Sequence, residues 1–204
     1  MTRQKLCARQ AVVAARALLA GSALLALASC SGGALAQNTP LSSGQGFVGG
    51  SYSSSYYHPG SRPAAPAISS RLLTGQRFSL AEDRGSVVVL NFWGSWCSPC
   101  RQEAPALAAL ARHFRHAKVR FVGVDMRDSV PSAEAFQRTF GISYPSLNDP
   151  GGEIALAFRG SVPPAGIPTT LVIDRAGRIA ARVVGGVSYS GLRALIARVL
   201  ADST

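Results

Sequence analysis

Two thiols three residues apart, Cys97 and Cys100, carry the chemistry this chain can do. They lie in the stretch Val87 to Glu103, VVVLNFWGSWCSPCRQE, where an apolar run meets a Gly94-Ser95 turn and Cys97 falls at the predicted start of a helix. At that spacing the sulfurs can close a small disulfide ring within one helical turn. The first turn of a helix leaves several backbone N–H groups without intrahelical partners, so positive partial charge gathers beside Cys97 and favours its thiolate. A thiolate is the species that attacks a disulfide, which makes strand, turn and C-x-x-C together a redox dithiol. Cys97, nearer the helix N-terminus and the loop surface, is the expected nucleophile, and Cys100 the resolving thiol. A purely structural bridge is the competing reading, and so short a loop would make it a poor staple.

Metal binding competes for the same sulfurs. Cys97-x2-Cys100-x12-His113-x2-His116 approaches the spacing of a Cys2His2 zinc site. The histidine pair is one residue too tight for that site, and it falls near the far end of a helix about 20 Å long. A copper-delivery role of the Sco kind would want a later histidine, and none follows His116. A peroxiredoxin would need Thr or Ser where Gly94 stands. The site is therefore read without a metal or cofactor, with a thiol-based copper or metal carrier kept as an alternative to the enzyme.

The elements that must position the thiols follow in chain order. Leu73 to Leu80 reads as a short strand, and Glu82-Asp83-Arg84-Gly85 turns the chain into Val87 to Phe92, whose unbroken apolar run indicates a strand covered on both faces. Leu107, Leu110, Ala111 and Phe114 recur at helical spacing after Cys100, with Pro105 expected to bend that helix. Val119 to Val124 is a second buried strand, so the crossover should pair the two in parallel. Asp128 or Ser129 can cap a helix with Pro131 in its first turn, Phe136 and Phe140 on one face and Gly141 at its end; a short helix near Glu153 to Phe158 follows. Thr169 to Ile173 and Ile179 to Val184 form a hairpin through Asp174-Arg175-Ala176-Gly177, and Leu192, Leu195, Ile196, Val199 and Leu200 mark a closing helix. The order implies an α/β fold, a mixed central sheet with helices on both faces.

The strand, turn and Trp96-Cys97-Ser98-Pro99-Cys100 core resemble the membrane-anchored thioredoxin-like proteins of the TlpA and ResA kind, over about Leu72 to Leu200. The resemblance implies a thioredoxin-like fold in which the helices between Val124 and Thr169 are a TlpA-type insertion. It implies that Cys97 forms the mixed disulfide and Cys100 releases it. Pro168, directly before a strand and compatible with a cis bond, would line the site, and Ile167 would hold the substrate peptide through its backbone. Trp96 would shield the thiolate and touch the partner, while Trp93 reads as core. Glu103 either complements the helix dipole or, as the resemblance implies, manages the proton that Cys100 must lose. Asn91 stands where thioredoxin has a buried aspartate and cannot titrate. Pro99 removes one N–H donor from the site.

Ahead of the domain, Arg3, Lys5, Arg9 and Arg16 precede an apolar run from Ala17 to Ala28, too short for a comfortable membrane span and expected to be an export signal. Leu27-Ala28-Ser29-Cys30 resembles a lipobox, which would leave Cys30 as a lipidated N-terminus holding the protein at a membrane. Ala34-Leu35-Ala36 offers an ordinary cleavage site, and an uncleaved anchor is a third reading. The expected organisation is a signal peptide over 1–29, an anchor and flexible linker over 30–66, and the thioredoxin-like domain over 67–204. The linker is poor in aliphatic residues, and its Tyr52, Tyr56, Tyr57 and His58 read as solvated. Of 204 residues, 21 are Lys or Arg and 10 Asp or Glu; without the four basic residues of the signal, 17 stand against 10, a formal excess of +7. That excess is arginine spread singly, with no basic run interleaved with aromatics, which argues against nucleic-acid binding.

The expected function is an extracytoplasmic thiol-disulfide oxidoreductase of the cell envelope that reduces disulfides in specific proteins. By resemblance these are apocytochrome c or copper-site proteins, and a membrane protein of the CcdA or DsbD type recharges the dithiol. A disulfide-forming oxidant is the alternative within the enzyme class.

Overall fold

The computed structural model describes residues 53–164 and 166–202. The signal over 1–29, the lipidation site Cys30, the first part of the linker and Tyr52 lie outside the described residues, and among the described ones no helix is long and apolar enough to cross a membrane.

The chain builds strands β1 (Ser53–Tyr56), β2 (Ser69–Arg71), β3 (Arg77–Ser79), β4 (Val87–Trp93), β5 (Val119–Met126), β6 (Ser146–Asp149), β7 (Thr169–Ile173) and β8 (Ile179–Val184). Between and after them come α1 (Ser98–His113), α2 (Val130–Phe140), α3 (Glu153–Ala157) and α4 (Tyr189–Asp202). Six strands form one mixed sheet in the order β1-β8-β7-β4-β5-β6, with β4, β5 and β6 parallel and the others antiparallel.

Every residue of β4 is buried, as its unbroken apolar run requires. Because successive side chains point to opposite faces, Val87, Val89 and Trp93 meet the helices α1, α2 and α4, while Val88, Leu90 and Phe92 meet α3 and the segment around Ile68 and Leu80. The sheet is thus covered on both faces and carries the dithiol on the end of its most central strand. Gly123 of β5 is a requirement of this packing: a Cβ there would stand 2.6 Å from Trp93 Nε1 and 2.3 Å from Ser146 Oγ. The absent side chain lets the indole lie across the sheet and stack on Phe136 with ring centroids 4.4 Å apart.

Several expectations are met in detail. The Ser129 hydroxyl caps α2 by accepting from the Ser132 amide, and Gly141 ends that helix at φ 61°. Others are corrected. The stretch Leu73 to Leu80 is not one strand: β2 and β3 pair as a small antiparallel hairpin turned at Gly75, whose φ is 82°, and Leu80 begins a 3-10 turn. β6 was not foreseen. Nor does the expected linker reach Pro66, for β1 pairs antiparallel with β8, and Arg62 is buried. Few aliphatic residues order that segment; edge-strand hydrogen bonds and a guanidinium inserted among carboxylates do.

Candidate active site

The first half of the site is the turn from β4 into α1. Gly94 leaves room for a close approach here, because a Cβ would sit 2.7 Å from Trp96 Nε1 and 3.2 Å from the Met126 carbonyl. That close approach lets Trp96 Nε1 donate to Met126 O at 3.3 Å, while the Ser95 amide donates to Asp128 Oδ2 at 2.7 Å. Two hydrogen bonds therefore tie the dithiol loop to the end of β5. Cys97 is the N-cap of α1, its sulfur accepting from the Cys100 amide at 3.2 Å. A sulfur in that position receives the positive end of the helix, the field that stabilises a thiolate in the reduced protein. The two cysteines form a disulfide with Cα atoms 5.3 Å apart.

The second half is the loop before β7. The Ile167–Pro168 peptide bond is cis. Ile167 joins Trp96, Cys97, Ser98, Pro99, Met126, Arg127 and Pro164 around an open groove of about 350 Å³. Trp96 is 57% exposed at its rim, an unusual position for an indole and one suited to contact with a partner. Both cysteines are nearly buried, so a reacting disulfide has to enter along this groove. A broader depression of about 470 Å³ on the β2–β3 hairpin is lined by serines, two arginines, Phe78 and Glu82, and it holds no thiol.

Beneath the dithiol lies Glu103, 1% exposed on α1. Its Oε1 accepts from Asn91 Nδ2 at 2.8 Å, and its Oε2 from the Val187 amide at 2.8 Å. Asn91 uses its other amide hydrogen on Thr170 Oγ1 at 3.0 Å, which binds β4, β7 and α1 into one polar knot. Burial pushes the Glu103 carboxyl up to about 7, against the opposing pull of the Val187 and Asn91 donors. A surface residue complementing the helix dipole would be neither this buried nor this shifted. Burial, and after it the same carboxyl, drives Tyr144 well above the usual phenol range.

The structure thus gathers Trp96, Cys97, Cys100 and Ile167 at one place, with the cis proline behind Ile167 and Glu103 one turn below Cys100. His113 ends α1, so at about 1.5 Å per residue it stands the length of a 16-residue helix from the sulfurs. There it packs edge-on to Phe114, and His116 accepts from Arg115. No group of three or more His, Cys, Asp or Glu that could hold a metal occurs among the described residues.

Sequence reasoning missed two parts of the site. Asp128 was considered only as a helix cap, yet it anchors the dithiol loop. Asp125 falls one residue past the expected strand Val119 to Val124 and has no role in the sequence reading; it is wholly buried, and neither carboxylate oxygen has a hydrogen-bond donor from the protein. An acid inside the run VRFVGVDM was the available signal.

Known proteins are similar to this chain in sequence and in fold. The thiol-disulfide oxidoreductase ResA of Bacillus subtilis is 33% identical over 116 residues, 57% of this chain and 63% of ResA, so the chain spans somewhat less than two thirds of that relative's length. The thiol:disulfide interchange protein HelX of Rhodobacter capsulatus is 33% identical over 174 residues, 80% of this chain and 94% of HelX. Among solved structures, a secreted thiol-disulfide isomerase from Corynebacterium glutamicum superposes with a TM-score of 0.69 at 30% identity, covering 72% of this chain and 92% of its own. The model of the AhpC/TSA family matches residues 62–182, from the buried Arg62 through the dithiol and the cis proline into β8. On that match and on these thioredoxin-fold relatives, the chain belongs to the AhpC/TSA redoxin family, beside the oxidoreductases of the ResA and HelX kind.

Proposed function

We propose that this chain is an extracytoplasmic thiol-disulfide oxidoreductase that reduces disulfides in specific envelope proteins. The observation that carries the reading is the Cys97–Cys100 disulfide at the N-terminus of α1, opening on a groove that ends at Ile167 before the cis proline. In the reduced protein the Cys97 thiolate attacks one sulfur of a substrate disulfide. That S–S bond breaks, a mixed disulfide forms, and the departing substrate thiolate takes a proton. Cys100 then gives its proton to Glu103 and attacks Cys97 Sγ. The second substrate thiol leaves, the Cys97–Cys100 bond closes, and two electrons have passed to the substrate. A carboxyl that titrates at about 7 can accept and return that proton near neutral pH.

Ile167 is suited to pair its backbone with an extended peptide, and Trp96 to cover the reacting sulfurs. The names of the relatives support an extracytoplasmic location, since the Corynebacterium protein is described as secreted. Apocytochrome c cysteines or copper-site thiols are the substrate classes, with electrons restored by a membrane protein of the CcdA or DsbD type and Cys30 as the lipid anchor.

The test has two arms. A Cys97/Cys100 potential near or below ~−270 mV marks a reductant, and one near ~−120 mV an oxidant that inserts disulfides. Cys100→Ser should trap a mixed disulfide through Cys97 with a disulfide-bearing substrate, in a yield that Cys97→Ser abolishes. Copper or zinc bound in stoichiometric amount with no trapped partner would instead make the chain a carrier.

A further inference from the structure

We propose that Asp125 is a positioning residue of the dithiol loop: carrying a proton, it donates to Asp128 and so holds the carboxylate that accepts the Ser95 amide, two residues before Cys97. The proposal deepens the oxidoreductase reading and rests on it for its consequence, though not for its test.

Geometry comes first. β5 places Asp125 on the face of the sheet that carries Trp93 and the cysteines, in register with Trp93 on β4 and Asn148 on β6. Asp125 is 0% exposed, and neither of its oxygens receives a donor from the protein. The Asn148 side-chain oxygen is likewise buried without a donor. From α2, the nearest packing on this face is Ala133 and Phe136, neither of which titrates; from α1 it is the disulfide. The charged groups that act on Asp125 are both carboxylates: Asp128, within hydrogen-bonding reach in the loop after β5, and Asp149 at the end of β6. Asp149 in turn faces Glu153 of α3 and is itself raised, chiefly by burial.

A buried carboxylate facing two others with no donor is unfavourable, and the group relieves this by keeping its proton. Burial first, then Asp128 and Asp149, push Asp125 up to about 7. Protonated, it offers Asp128 a third hydrogen bond beside those from Ser95 N at 2.7 Å and Ser129 N at 2.8 Å. Deprotonated, it faces Asp128 as a second negative charge at hydrogen-bonding distance. Asp128 is then driven outward, and the Ser95 amide loses its acceptor. The loop that presents Cys97 is thereby held firmly below about pH 7 and loosened above it.

Carbon and nitrogen NMR of the oxidised full chain between pH 5 and 9 tests this, since neither cysteine titrates in that form. The Asp125 carboxyl carbon should titrate with a midpoint near 7, and the Ser95 amide should move with the same midpoint. Asp125→Asn retains a donor toward Asp128, so its Ser95 amide should stay at the acid-limit position throughout. Asp125→Ala, which lacks both the donor and the charge, should leave a Ser95 amide that no longer titrates and that lies short of the acid-limit position. An Asp125 midpoint near ~4, the ordinary aspartate value, would overturn the proposal. So would a Ser95 amide that ignores pH, or one that titrates unchanged in Asp125→Asn. Should either variant fail to fold, the two wild-type signals decide alone. A protein that shows the coupled titration but traps no mixed disulfide through Cys97 sinks the oxidoreductase reading separately.

Discussion

The two ends of the central sheet handle buried acids in opposite ways. At the end remote from the dithiol, Asp174 closes the β7–β8 turn and is paired twice, with Arg62 Nη1 at 3.1 Å and Arg178 Nε at 3.1 Å. Arg62 also reaches Asp202 of α4, the Tyr56 hydroxyl and the Tyr57 carbonyl, which fastens the start of the domain to its last helix. Burial alone would raise Asp174, but the Arg178 amide and the two guanidinium groups hold it below the usual carboxylate range. At the dithiol end, Glu103 and Asp125 are as deeply buried, and the groups acting on them include no cation. Both are pushed up to about 7. One fold thus contains a paired acid held below the usual carboxylate range at one end, and unpaired acids that keep their protons up to about pH 7 at the other. Charge pairing would have stabilised Glu103 as a carboxylate, and so removed it from the pH range in which thiols exchange.

The largest expected effect comes from breaking the paired end. Arg62→Ala would leave Asp174 buried with Arg178 as its remaining cation and free the Tyr56 edge of β1. Removing one partner of a buried ion pair costs about 3–5 kcal/mol. Urea unfolding of the oxidised variant should show a loss of that order, while the folded variant still closes and opens its Cys97–Cys100 bond at the wild-type rate. A loss below about 1 kcal/mol would mean that this cluster behaves as a surface pair, and the contrast between the ends would fail.

Next in size is the pH dependence of the unpaired end. Glu103 binds its proton more tightly in the folded chain, at about 7, than at its ordinary value of 4.5 in the unfolded one. Between those values the native state carries more protons than the unfolded state, so stability falls as pH rises from 4.5 to about 7 and is level above. The fall is on the order of 3 kcal/mol for this one group. Asp174, whose folded value is lowered, acts with the opposite sign: its contribution is present above the ordinary carboxylate value and is lost as pH falls through its folded one. Unfolding midpoints of the oxidised protein at a series of pH values should show both limbs. Glu103→Gln should reduce the fall toward neutrality to the part that Asp125, also raised to about 7, contributes, and leave the acid limb alone. A neutral limb of wild-type steepness in that variant would assign the proton elsewhere.

What the amino-acid order reveals and conceals follows the same division. β4, β7, β8 and the face of α1 are legible because buried runs and helical stripes are local patterns, and the Ser129 cap and Gly141 are likewise set by neighbours in the chain. The cysteines and the Ile167-Pro168 step are legible as motifs, although that the proline bond is cis had to be seen. β6 escapes because only Leu147 in Ser-Leu-Asn-Asp is apolar, and its strand state depends on parallel pairing with β5. β1 escapes because it is nearly all serine and joins the sheet by backbone bonds to a strand more than a hundred residues away. Arg62 reads like any exposed arginine until the fold brings Asp174 and Asp202 to it. Glu103 could be placed beneath Cys100 by helical spacing, but its donors, Asn91 and the Val187 amide, come from two other elements.

The smallest expected effect tests whether burial, rather than pairing as such, separates the two ends. Glu134 and Arg138 form an ion pair one turn apart on α2 at 3.6 Å, the same chemistry as Arg62 with Asp174, with both side chains largely exposed. Water already solvates these charges, and holding two long side chains in register opposes what attraction remains. A double-mutant cycle with Glu134→Ala and Arg138→Ala should therefore give a coupling of about 0.3–0.5 kcal/mol. Raising the salt should shrink it further, because the Debye length falls to about 3 Å at 1 M. At the paired end, the loss on Arg62→Ala should barely respond to the same salt, since its guanidinium and the Asp174 carboxyl are both buried. Equal coupling, or equal salt sensitivity, at the two sites would show that pairing alone sets the strength of these contacts. The protonated state of Glu103 would then need a cause other than its burial away from cations.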